Sequence, residues 1–91
     1  RMINTEYVWE LYSYKRTEPN EPNEPVQRRR LLVTTDEEWA QYVFNGVHEG
    51  ERYGGQTVEG PVYAIRTQRD IGNPEETDVS EQFRSQLLND D

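Results

Sequence analysis

The sequence predicts an α+β fold: a small three-stranded, mainly antiparallel sheet with two helices on one face, in the order β-β-α-β-α. Three observations predict it. Residues 3–15 are rich in β-forming side chains and lack Gly and Pro, two helix-start signals each precede apolar residues at helical spacing, and a further β-forming run lies between them. A chain of 91 residues has room for one modest core, since it buries only about 60–65% of its unfolded surface. Residues 1–91 are therefore expected to form a single domain, with a Pro/Glu/Asn-rich loop at 17–27 and a Gly-rich loop at 46–60.

In the first strand, alternation sets Tyr7, Trp9 and Leu11 on one face and Val8, Glu10, Tyr12 and Tyr14 on the other. The first face reads as core. Tyr12 and Tyr14 either cover a second small cluster or offer aromatic surface to a partner. Residues 18–25 then place Pro19, Pro22 and Pro25 three apart, so that a polyproline-like ridge forms and no sheet can. Its glutamates argue against a ligand for SH3 grooves, which generally prefer a basic segment, and favour a solvated connection.

Residues 28–34 read as the second strand, where Arg28-Arg29-Arg30 runs into Leu31-Leu32-Val33. A continuous apolar triplet cannot be phased by alternation. The arginines either pair with acidic residues of this chain, bind an acidic patch elsewhere, or blunt an edge strand with charge. Thr35 followed by Glu38 forms a capping box, and Trp39, Tyr42 and Val43 recur at i, i+3 and i+4, so a helix with Trp39 as its core anchor is expected. Gly46 is its natural stop. Tyr53-Gly54-Gly55-Gln56 suggests a tight turn or small hairpin.

Residues 61–68 give a third strand, with Val62 and Ala64 on one face and Tyr63 and Ile65 on the other. After Gly72-Asn73-Pro74, Asp78 and Glu81 form a second capping box before Val79, Phe83, Leu87 and Leu88 at helical spacing. The simplest sheet puts the first strand in the middle, with a right-handed crossover from the second strand through the first helix to the third.

The formal net charge is −8, and it is unevenly distributed. Up to Thr35 there are six basic and five acidic residues, whereas from Asp36 onward there are thirteen acidic and four basic. Arg1 precedes Met2, and because translation starts at Met, the natural chain is expected to begin at Met2. A surface of this sign repels nucleic-acid phosphate, so direct binding of DNA or RNA is not expected, and a basic partner is favoured. Carboxylates also keep a small protein soluble, which is their ordinary role. No apolar run approaches the roughly 20 residues that cross a bilayer. The absence of Cys removes disulfides and thiolate chemistry, which fits a reducing compartment, here taken as the cytoplasm.

No constellation for catalysis is evident. His48 has Glu49 and Glu51 nearby, a weak metal pattern beside the three or four well-spaced ligands of a zinc site, so neither a metal nor another cofactor is expected. Ser13, Ser80 and Ser85 occupy no recognised nucleophile setting, and the glycines match no phosphate-binding loop.

The favoured expectation is a non-catalytic inhibitor or adaptor whose acidic surface occupies a basic site on a partner protein. Where that site normally grips nucleic acid, as in a nuclease, Asp36, Glu37, Glu38, Glu49, Glu51, Glu75, Glu76 and Asp78 would imitate a row of phosphates, with Tyr12 and Tyr14 as aromatic contacts. Small phage-encoded antagonists of host nucleases use that strategy, a likeness of size and charge with no family motif behind it. The alternative is a small-molecule or nucleotide-sequestering oligomer that gathers Tyr12, Tyr14 and Tyr53 with Arg28, Arg29, Arg30 and Arg66 around an interchain pocket. A structural component of a larger assembly fits the same composition.

Overall fold

The computed structural model describes residues 3–15 and 27–89, with side chains described as far as Gln86. The proline repeat at 18–25 and the side chains of Leu87 and Leu88 lie outside the described residues. Strand β1 (Tyr7–Lys15) is followed by β2 (Gln27–Thr34), helix α1 (Glu37–Gly46), the short strands β3 (Arg52–Tyr53) and β4 (Gln56–Thr57), β5 (Val62–Gln68), β6 (Thr77–Asp78) and helix α2 (Ser80–Asn89). The fold is α+β, with antiparallel pairing throughout.

The main sheet has four strands rather than the three expected, in the order β2-β1-β5-β6, and β3 and β4 form a separate two-stranded hairpin. Two-residue strands are too short to show alternation, which is why β6 is not legible in the sequence. The central position of β1 and its antiparallel neighbours match the expectation.

The face of β1 that carries Trp9 and Leu11 joins Ala64 of β5, Ala40, Val43 and Phe44 of α1, and Val79 and Phe83 beside the start of α2 in one buried core. Phe44 and Phe83 meet edge to face at 5.9 Å, which ties the two helices together. The register of β1 and β2 shifts between Leu11 and Tyr12: Leu11 pairs with Leu32 and Tyr12 with Arg30, so Leu31 is the extra residue of a bulge. The bulge resolves the apolar triplet. Leu31 and Leu32 pack against the core, Val33 emerges opposite Glu10, and Arg28 and Arg30 stand opposite Tyr14 and Tyr12.

Both helices begin one residue later than the capping boxes predict. Asp36 caps α1: its carbonyl accepts from Ala40 N at 3.0 Å and its Oδ1 from Trp39 N at 3.0 Å. Thr35 is still extended there, with its carbonyl bonded by Asn4 N at 2.9 Å, and Thr34 Oγ1 accepts the Asp36 N–H. At α2, Phe83 N donates to Val79 O at 3.0 Å, while Asp78, held in the ladder opposite Ile65, accepts from Ser80 N through Oδ1 at 2.8 Å. The buried Ser80 Oγ accepts from Ala64 N at 2.8 Å and so fastens the helix start to β5.

The one-residue shift has a consequence for α1. Its buried stripe is Ala40, Val43 and Phe44, not Trp39, Tyr42 and Val43. Trp39 is only partly buried at the edge of the core, and Tyr42 is 72% exposed. Both stripes have helical spacing, so periodicity alone could not separate them. The turn at Gly54 and Gly55, with φ of 61° and 82°, joins β3 to β4, a geometry that two consecutive glycines adopt without steric cost.

Candidate functional site

Two surfaces bring chemistry-bearing side chains together, one on each side of the sheet. On the side away from the helices, Tyr63 of β5 lies between Tyr12 and Tyr14 of β1, with ring centroids 5.7 and 4.8 Å away and planes within 24° of parallel. Arg28 of β2 lays its guanidinium over the Tyr12 ring at 4.2 Å and reaches Glu76, ahead of β6, with both nitrogens. Tyr12 is thereby buried although no helix covers it, whereas Tyr14 is 43% exposed. Burial, then the Glu10 carboxylate, push the Tyr12 hydroxyl above the usual tyrosine range, against the opposing pull of Arg28. The Arg28 hydrogen bonds hold the Glu76 carboxyl below the usual carboxylate range.

The second surface runs along α1. Trp39 and Tyr42, one turn apart, stack at 5.6 Å with planes 17° apart. With Val43, Val47 and Tyr53 of the β3–β4 hairpin they line an open, mainly apolar groove, and Glu38 stands at its other end. The helix places these side chains because Asp36 sets its phase: Ala40, Val43 and Phe44 turn inward and Trp39 and Tyr42 outward. The base of the hairpin is closed by Val58, which is buried and exchanges backbone bonds with Gly50 and Glu51.

The acidic residues singled out in the sequence fall in three places. Asp36, Glu37 and Glu38 open α1, with Asp36 buried as its cap. Glu49 and Glu51 lie beyond the other end of α1, where the Glu51 Oε1 accepts from His48 N at 2.8 Å and sits 3.0 Å from His48 Nδ1. Glu75, Glu76 and Asp78 lie at and before β6 on the far edge of the sheet, where Glu76 is bound by Arg28 and Asp78 by the backbone of Ser80. Tyr12, Tyr14 and Glu76 are brought together through Tyr63 and Arg28; the start of α1 belongs to the other surface.

The arginine and tyrosine set of the alternative reading is divided. Tyr53 packs on the helix side of the sheet and Tyr12 and Tyr14 on the opposite side, Arg28 is engaged by Glu76, and Arg66 lies over Tyr7 at 4.4 Å. Among the described residues no group of three or more His, Cys, Asp or Glu could hold a metal ion, and no helix is long and apolar enough to cross a membrane. Sequence reading set Tyr42 in the buried stripe of the helix and so missed it as a surface aromatic. The signal that could have found Tyr42 is Asp36, a better cap than Thr35, which rotates the helix by one residue. No protein family, characterised protein or solved structure matches the chain.

Proposed function

We propose that this chain is a non-catalytic protein-binding module, an inhibitor or adaptor, that docks a basic partner surface on the groove of α1. The observation that carries this reading is Tyr42: a large aromatic side chain, 72% exposed, stacked on Trp39 beside an apolar groove and one helical turn from Glu38, which follows Glu37 in the first turn. Aromatic anchors inside a charged rim are the usual makeup of a protein-binding surface. The carboxylates steer a cationic partner and the aromatics hold it. Basic sites that grip nucleic acid belong to the class this surface suits, and the chain would then act by blocking one. The lack of Cys fits work in a reducing compartment such as the cytoplasm.

The test is capture of the partner at low ionic strength, followed by its release in salt. Glu37→Gln with Glu38→Gln is expected to weaken capture and flatten its salt dependence, while leaving the fold intact. Asp36 is unsuitable for this purpose because it caps the helix. Capture of equal strength by the doubly substituted chain at every salt concentration would exclude the acidic turn from the contact.

A further inference from the structure

Building on that reading of the α1 groove, we infer that the groove receives an arginine side chain of the partner, its guanidinium laid on the Tyr42 and Tyr53 rings at the C-terminal end of the helix. Four observations converge on a cation. The groove lining contains no Lys, Arg or His. Tyr42, stacked on Trp39, and Tyr53 line the groove, and the face of an aromatic ring carries a negative quadrupole that attracts positive charge. The last turn of α1 carries no basic residue, and Asn45, Gly46 and Val47 bring that negative end of the helix dipole into the groove wall. Glu38 adds a carboxylate at the opposite end.

Two arginines lie on neighbouring elements: Arg52, next to Tyr53 on β3, donates to Gly55 O at 2.6 Å, and Arg84 of α2 lies over Phe44 at 5.2 Å and lines a different recess. Arginine is favoured over lysine because its planar, weakly hydrated guanidinium stacks on aromatic rings and still presents donors in its plane to helix carbonyls. Glu38 and Gly46 are eight residues apart, which along a helix is about 12 Å, the length of three or four residues of an extended segment. The occupant is thus an extended, basic stretch of a partner protein, with one arginine seated at the Gly46 end. An acidic segment is excluded by charge, since residues from Asp36 onward hold thirteen acids against four bases.

The experiment is an NMR titration of the full, ¹⁵N-labelled chain with a capped Leu-Arg-Leu peptide, its citrulline counterpart, which keeps the shape and removes the charge, and its lysine counterpart. The arginine peptide is expected to shift the amides of Tyr42, Gly46 and Tyr53, with lysine weaker and citrulline nearly silent. Tyr42→Ala is expected to lower the affinity about two- to fivefold, the range of an exposed cation–π contact. Equal binding of the citrulline peptide overturns the cationic receptor and leaves an apolar docking groove. Shifts confined to another surface, or none at low-millimolar peptide, overturn it as well. In either case the wider docking reading stands or falls separately, on capture of the whole partner.

Discussion

Arg28 on β2 and Glu76 ahead of β6, on opposite edges of the main sheet, are joined by two parallel hydrogen bonds of 3.0 and 2.9 Å across the face that carries Tyr12. The guanidinium covers the Tyr12 ring on the way. One arginine therefore does for this face what helices do for the other. Its side chain and that of Glu76 stay 41% and 44% exposed, so solvent screening keeps the pair on the scale of a surface ion pair.

Glu76→Gln is accordingly expected to cost about 0.5–1 kcal/mol at neutral pH. Because Arg28 lowers the folded-state pKa of Glu76, that contribution is present above the ordinary carboxylate pKa and is lost as pH falls through the lowered value. The two proteins should converge in stability once the pH has fallen below that lowered value. Arg28→Ala should cost more, about 1–2 kcal/mol, because it also uncovers Tyr12. Urea unfolding at neutral and acid pH checks both expectations.

The cap of α1 separates two readings of one sequence. Asp36→Ala is expected to lose about 1 kcal/mol and Thr35→Ala only a few tenths, since the Asp36 side chain accepts the Trp39 N–H. Thermal unfolding of the two variants measures the difference, and the reverse ranking would restore Thr35 as the cap.

Gly60 is buried where the chain passes the end of β1, and a Cβ there would fall against the carbonyl oxygen of Tyr14. Tyr14 N donates to Pro61 O at 3.2 Å, which holds the two segments at this crossing together. Gly60→Ala is expected to destabilise by about 1–3 kcal/mol, the scale of overpacking, and to loosen the Tyr14–Tyr63 stack. A denaturation midpoint equal to that of the parent chain would show that this crossing can give way freely.

Tyr12 supplies an alkaline signature. Its pKa is raised in the folded state, so the associated stability is full below the ordinary tyrosine value of about 10 and is lost as pH rises through the folded value. In an ultraviolet titration of the phenols, Tyr12→Phe is expected to remove a component that ionises late.

The strands and their facing were legible because β1 and β5 alternate: Trp9 and Leu11 opposite Tyr12 and Tyr14, Ala64 opposite Tyr63 and Ile65. The central position of β1 followed from the order of elements. What lay beyond the sequence was of three kinds. The bulge at Leu31 is fixed by pairing across strands, which a triplet of aliphatic residues does not announce. β6 forms only because the chain returns beside β5, where Ile65 and Arg66 pair with Asp78 and Thr77. The phase of α1 turned on which of two adjacent capping residues prevailed.

The candidate site was legible in part. Tyr12, Tyr14 and Glu76 were singled out for their type, but their meeting depends on Tyr63 and on Arg28, a residue read among three arginines without a partner to choose it. The acidic residues counted together in the sequence separate in space, because the two ends of α1 and the β6 edge hold them apart. Net charge is a sum, and a sum carries no positions.

The most direct test of the account is the affinity of the captured partner for the Tyr42→Ala chain, measured alongside its unfolding midpoint. Tyr42 is exposed, so the midpoint should match that of the parent, whereas the affinity should fall about tenfold or more, as for an aromatic anchor at an interface. Unchanged affinity with an unchanged midpoint would place the partner elsewhere on the molecule and contradict docking on α1.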